Sequence, residues 1–253
     1  MSIIKLGIAR QNFLLAIICC HHRAKHTDVI REYWVPDVKD KFDYKFFYGS
    51  GTHDPIKSDE VIMSGDDAYR GLASKIRNTC IWALEHGYDG LVKVDDDTAW
   101  IANRIAKAVK NDWSKYDYIG RRNGPTDKYH TCNYARGGTG YYLSKRAMQI
   151  LADAPEPNPD DPKDFAEDSF VGRHMIEAGI ECGNDERLRC ADFSGPNRGP
   201  RPQGSTTWKR DCPTLQNDVI AVCEFLGPEM RGPYEEWTNS CEQHKSIMER
   251  IRV

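Results

Sequence analysis

The chain lacks an apolar run long enough to cross a bilayer. Its longest, residues 13–20 (FLLAIICC), runs straight into HHRAKH, whereas a membrane-spanning helix needs about 20 such residues. The run could pass for a signal-peptide core, but no small-residue cleavage site follows, and a buried first strand is the expectation. The expectation is a chain without a membrane anchor, acting in the cytoplasm, or in a host's cytoplasm if its source is viral or phage. There is also no CxxC pair and no internal repeat, and the net charge is only −3 over 253 residues. Nine cysteines in a chain this long do not make a disulfide-stapled miniprotein. Reduced thiols are the simpler reading, although Cys182 and Cys190 could pair in an oxidising compartment. The small net charge excludes a chain-wide polyanion binder and leaves only a local basic patch.

What is present is enough apolar residue for a real core, 40% hydrophobic beside 29% charged. Strand and helix patterns alternate. Residues 13–20 read as a buried strand, 26–34 as a short helix and 44–48 as a strand. Residues 67–86 form the clearest helix, with Tyr69, Leu72, Ala73, Ile76, Cys80, Ala83 and Leu84 at helical spacing and Gly87 placed to end it. Residues 90–94 are a strand, apolar except for Lys93. A helix is expected over 98–110 and a strand over 116–119. Later come a glycine turn entering a strand (137–143), a helix (144–151), a polar loop (155–162) and a helix (166–178). They are followed by a Gly/Pro-rich loop (194–211), a strand (219–225) and a helix (234–252). This rhythm predicts an α/β fold with a mostly parallel sheet and helices on both faces. Ligands of such sheets bind beyond the carboxyl ends of the strands. A single domain over 1–253 is expected, with about 10–125 binding a nucleotide and about 126–253 facing an acceptor.

Asp95, Asp96 and Asp97 end the third strand (LVKVDDDTAW). Like charges in a row repel and call for a cation or for solvent. In extended backbone alternate side chains share a face, so Asp95 and Asp97 point together and Asp96 points elsewhere. Paired carboxylate oxygens suit Mn²⁺ or Mg²⁺, which can bridge a diphosphate and stabilise a departing phosphate. The competing reading is a solvated acidic start to the next helix. A second cluster, AEDSFVGRHM, opens a helix with Glu167 and Asp168, where the helix dipole favours negative charge. It is either an acidic first turn or a general base for an attacking hydroxyl. Gly137, Gly138 and Gly140 (GGTGYYLS) permit close backbone approach or simple turns. The adjacent CCHH of residues 19–22 alternates in direction and does not suit zinc, whose ligands are spaced.

Taken in order, these segments resemble the Fringe and beta-1,3-galactosyltransferase family of GT-A glycosyltransferases. LLAIICCHHRAKHTDVIREYW is similar to that family's opening strand and IRxTW-like helix. DDAYRGLASK leading to GLVKVDDD resembles its YxNLxxK helix and KVDDD strand. GGTGYYLS resembles its GGGYxLS, and EDSFVG its EDVxVG. The resemblance spans about residues 14–172. It implies a single GT-A, Rossmann-like domain and an inverting transfer from a UDP-sugar with Mn²⁺. By position it implies that Asp97 is the main metal ligand and that Asp95 and Asp96 contact the metal shell, ribose or donor sugar. Asp168 is then the base, and Arg23 and Lys75 are nucleotide-side contacts. The family's late-strand histidine is missing: VIAVCEFLGPEM offers Cys223 and Glu224 there, with His244 as a further candidate.

The acceptor is expected to be a cytosolic glycan or a hydroxymethylated base in phage or viral DNA. For DNA, the loop residues Arg198, Arg201, Lys209 and Arg210 supply cations and Trp208 a stacking face. Two other classes compete. One is a metal-dependent phosphoester hydrolase or nuclease, which needs more converging acids than the chain shows. The other is a non-catalytic sugar-nucleotide binding module.

Overall fold

The computed structural model describes residues 12–33, 35–100, 102–125, 132–190 and 221–223. In chain order the elements are β1 (Phe13–Ile18), α1 (Ala24–Tyr33), α2 (Val35–Val38), β2 (Asp43–Tyr48), β3 (Glu60–Ile62), α3 (Leu72–Glu85), β4 (Gly90–Asp95), β5 (Ala99–Trp100), α4 (Ala102–Asn111) and β6 (Tyr118–Gly120). They continue with β7 (Arg122–Asn123), β8 (Tyr134–Ala135), β9 (Tyr141–Ser144), α5 (Lys145–Asp153), α6 (Pro162–Phe165), α7 (Glu167–Glu177), β10 (Gly183–Asn184), β11 (Leu188–Cys190) and β12 (Ala221–Cys223).

β1 is apolar throughout because both of its faces are covered. Leu15 and Ile17 pack with Ile30 of α1, Val38 of α2 and Ile105 of α4. Leu14, Ala16 and Ile18 pack on the other side with Ile76 of α3, Met148 of α5 and Phe170 of α7. A central strand buried on both faces reads as a continuous apolar run rather than an alternating one. The main sheet has seven strands in the order β10-β6-β9-β4-β1-β2-β3. β9 runs antiparallel to both β4 and β6, and the remaining pairs are parallel. This is the mixed, mostly parallel sheet with flanking helices that the strand–helix rhythm predicts.

The expected helix over 98–110 needs correction. It begins at Ala102, and Ala99–Trp100 form β5, antiparallel to β12. Periodicity misses a two-residue strand whose partner lies more than a hundred residues away. β3, β7, β8, β10 and β11, each of two or three residues, were also outside the reach of periodicity. Within the strand expected over 219–225, Ala221–Cys223 is observed. The loop over 194–211 and the helix over 234–252 lie outside the described residues. Among the described residues, no helix is long and apolar enough to cross a membrane.

One buried carboxylate fastens the β10 edge. Asp185, 5% exposed, accepts from the Trp113 indole Nε1 at 2.6 Å and from Arg187 Nε and Nη2 at 2.9 and 2.6 Å. Burial alone would raise its pKa, but the hydrogen bonds from Arg187 and Trp113 outweigh burial and hold it below the usual value. A depressed folded-state pKa stabilises the fold fully above the unfolded value of about 3.9, and the gain disappears as pH falls through the folded value. Asp185→Asn is therefore expected to cost about 2 kcal/mol at pH 7. In thermal melts its gap to wild type should narrow below about pH 4. A gap that stays constant down to pH 2 would contradict this.

Candidate active site

β1 and β4 lie side by side in parallel, with Ile18 opposite Asp95. From β1 the chain builds outward through β2 and β3, then returns to place β4 on the other side of β1. Successive connections thus leave in opposite directions, which opens a crevice at the carboxyl ends of these two strands. The three aspartates sit there. The strand stops at Asp95: Asp96 N donates to Ile18 O, and Thr98 N donates to Asp95 O, both at 3.2 Å. The acidic run is therefore a turn. Its side chains still alternate in exposure, with Asp95 and Asp97 at 23% and 17% and Asp96 at 2%.

Two cations answer the repulsion. Arg23 closes the short 3-10 turn after β1, and its Nη1 and Nη2 lie 2.9 Å from Asp96 Oδ1 and 2.9 Å from Asp97 Oδ2. Lys93, on β4 and 1% exposed, sets Nζ 2.7 Å from Asp95 Oδ1, 3.4 Å from Glu167 Oε2 and 3.0 Å from Gly137 O. Glu167 Oε1 also accepts from the Tyr141 hydroxyl. Burial pushes the Asp95 carboxyl up against the opposing pull of Lys93, with Asp97 adding to the rise. Asp96 is raised in the same way, by burial first, with Arg23 opposing. Glu167, likewise buried, is also raised.

The same network fixes Asp168. Helix α7 starts at Glu167, so the Lys93–Glu167 pair sets where its first turn lies. Asp168 is half-buried, accepting from Ser169 N at 2.9 Å and from Gly137 N at 3.4 Å. The glycine turn has to come close. A Cβ on Gly137 would fall 2.4 Å from Glu167 Oε2, and Gly140 has φ +77°, which favours glycine. Thr98 Oγ1 donates to Gly138 O at 2.7 Å and ties the acidic turn to the glycine turn. β4, the glycine turn and the start of α7 thus form one unit.

The donor set is chemically selective. All its oxygens are carboxylate, and the Asp96 Oδ2 atom is buried without a hydrogen-bond partner. Among the described residues, no three His, Cys, Asp or Glu side chains gather as a metal-holding group. Two part-exposed carboxylates, Asp95 and Asp97, suit Mg²⁺ or Mn²⁺ when phosphate and water complete the shell. The residues present fit such an ion on those terms.

Lys75 has a different position from the one the motif suggests. It is 2% exposed, and its Nζ donates to Cys19 O at 2.6 Å, Asp67 Oδ1 at 3.0 Å and Asp67 O at 3.3 Å. Asp67 in turn accepts from His21 N and Gly49 N. Lys75 therefore braces the ends of β1 and β2 from inside. In the CCHH stretch, Cys19 turns into the core and His21 Nδ1 meets His53 Nδ1 at 2.8 Å. Lys93 and Tyr141 carry no role in the sequence reading. The signal for Lys93 was there, a lone charge in an otherwise apolar strand. Cys223 is placed by its backbone in β12, beside β5, which follows the acidic turn. Glu224, His244, Arg198, Arg201, Trp208, Lys209 and Arg210 lie outside the described residues.

Removing one partner of a buried charge network leaves the others uncompensated. Lys93→Met is expected to lower unfolding free energy by about 3–5 kcal/mol, measured by urea denaturation. Adding Glu167→Gln to that variant should cost less than Glu167→Gln alone, because the two residues are coupled. Strict additivity would contradict the pairing.

No family model matches the chain. The fold is similar to that of the galactosyltransferase LgtC, whose structure was solved in complex with donor and acceptor sugar analogues. The TM-score is 0.50 at 10% identity, covering 95% of this chain and 96% of that one. A Desulfovibrio desulfuricans protein assigned as a nucleotide-diphospho-sugar transferase aligns at TM-score 0.41 and 13% identity, over 70% of this chain and 80% of that one. The LgtC likeness, with the observed sheet, places the chain in the GT-A, Rossmann-like fold class.

Proposed function

We propose that the chain is an inverting glycosyltransferase that moves a sugar from a UDP-sugar to an acceptor hydroxyl, with Mn²⁺ or Mg²⁺ as its ion. One observation carries the reading. The acidic turn at the strand crossover is joined through Lys93 to the helix start that bears Asp168, so a donor-side cluster and a candidate base share one rigid unit. The order of the family-like motifs and the fold class support it.

Asp97, with Asp95, would hold the ion, which when bound supplies positive charge to the donor diphosphate. Arg23, already at Asp97, is positioned to meet a phosphate oxygen. Asp96 is too buried to touch the donor and acts by anchoring Arg23. Lys75 keeps the Cys19–His21 backbone in place beneath the nucleotide. Asp168 accepts the proton of the acceptor hydroxyl. The acceptor oxygen then forms its bond to the anomeric carbon while the bond from that carbon to the diphosphate oxygen breaks. UDP departs with the electron pair.

The test is UDP release from a panel of UDP-sugars with Mn²⁺. Wild type should hydrolyse one donor slowly, and Asp97→Ala should abolish this. Asp168→Asn should still bind that donor but lose transfer by about 10²–10⁴-fold. No donor bound or hydrolysed, with or without metal, would sink the reading.

A further inference from the structure

A pair of histidines near the acidic turn takes no part in this chemistry. The loop of residues 49–59, between β2 and β3, is exposed at residues 50–52, 54–56 and 58 and turns His53 inward. His53 Nδ1 lies 2.8 Å from Nδ1 of His21, in the turn after β1. His21 Nε2 lies 3.1 Å from Gly49 O, and His53 Nε2 lies 2.9 Å from Glu60 Oε2. β1 and β2 run parallel, so the pair stands at the same carboxyl ends as the acidic turn.

The contacts fix the charge of the pair. Gly49 O can only accept. Glu60 is an acceptor too: its carboxylate, 1% exposed, meets Arg31 Nη2 at 2.6 Å and accepts from Lys57 N at 2.9 Å. Each outer ring nitrogen therefore carries a hydrogen. Were both rings neutral, the two inner nitrogens would turn lone pairs on each other at hydrogen-bonding distance. Three contacts need three protons, and two neutral imidazoles supply two. The pair is thus one imidazole and one imidazolium with a proton between them.

The surroundings call for the same charge. Asp28, Asp59 and Glu60 are joined by ion pairs to Arg31 and Lys57. Three carboxylates meet two cations, and the shared proton balances the third. The buried Tyr48 ring lies against both imidazoles, its centroid 5.1 Å from His21 and 4.6 Å from His53. An aromatic face favours a cation. Neighbouring groups leave this count unchanged. Asp67, which accepts from His21 N, is matched by Lys75, and Arg23 is matched by Asp96 and Asp97. Burial pushes the Cys20 thiol up to about 12 and keeps it neutral. His22 and Asp54 are exposed.

We propose that the proton shared by His21 and His53 is a latch that holds loop 49–59 against the turn after β1 and releases it as pH rises. Without that proton the bridge, the Gly49 contact or the Glu60 contact has to break. A proton kept only in the folded contact stabilises it at low pH, and the gain is lost toward alkaline pH. The proposal is independent of the transferase reading.

Two measurements on the full chain test it. Long-range proton–nitrogen NMR at about pH 6 should find three of the four ring nitrogens protonated. Tryptic cleavage after Lys57, normalised at each pH to a reference peptide, follows the population of the opened loop. In wild type it should rise about tenfold or more from about pH 6 to about pH 8.5, the range in which imidazole changes charge. His53→Gln keeps a hydrogen-bonding side chain without the charge, and its cleavage should not respond to pH. Two or four protons on the rings, wild-type cleavage indifferent to pH, or a pH response that survives His53→Gln would overturn the proposal. So would a loop that opens at constant pH on adding EDTA, which would put a metal ion where the proton is placed. If His53→Gln does not fold, the NMR count and the wild-type profile still decide.

Discussion

The Lys93 ammonium is the point on which the site depends. β4 is central and covered on both faces, so a charge on it has no route to water. A buried charge is tolerated only when paired. Asp95 supplies one partner from the end of the same strand, and Glu167 supplies the other from α7, 74 residues away. Two consequences follow. The strand that carries the acidic turn and the helix that carries Asp168 are held in one relative position. The segment between them must also have no side chain at Gly137, where a Cβ would strike Glu167. The spacing between the candidate donor site and the candidate base is thus set by desolvation rather than by loop length.

Arg23 plays the matching part on the other side of the crevice. Asp96 and Asp97 repel, and the guanidinium that bridges them is itself almost buried. A divalent ion and this guanidinium meet the same electrostatic need, and Asp97 faces both demands because it is the more exposed of the two carboxylates. The acidic turn is therefore balanced by fixed cations within the fold.

Much of this was legible in the sequence where the signal is local. β1 and β4 read as strands because burial on both faces makes them continuously apolar. α3 read as a helix because Ile76, Cys80 and Ala83 recur at its period, and Gly87, at φ +77°, ends it as expected. The sequence led to an expected alternation of Asp95, Asp96 and Asp97 from extended geometry; the exposures do alternate, but the strand ends at Asp95 and a turn sets them. What was not legible depends on partners distant in sequence. β5 exists because β12 pairs with it. The role of Lys93 depends on Glu167, and the internal position of Lys75 depends on Cys19 and Asp67. Motif position assigned Lys75 to the nucleotide, whereas packing surrounds it with backbone and carboxylate acceptors.

The most direct test of a nucleotide-diphosphate site at the β1–β4 crossover is a crystal structure with UDP and Mn²⁺, using anomalous scattering to locate the ion. The expected result is an anomalous peak at the Asp97 carboxylate, with the diphosphate beyond the carboxyl ends of β1 and β4 and Lys93 still paired with Asp95 and Glu167. A nucleotide bound elsewhere on the molecule, or manganese held by other side chains, would contradict it.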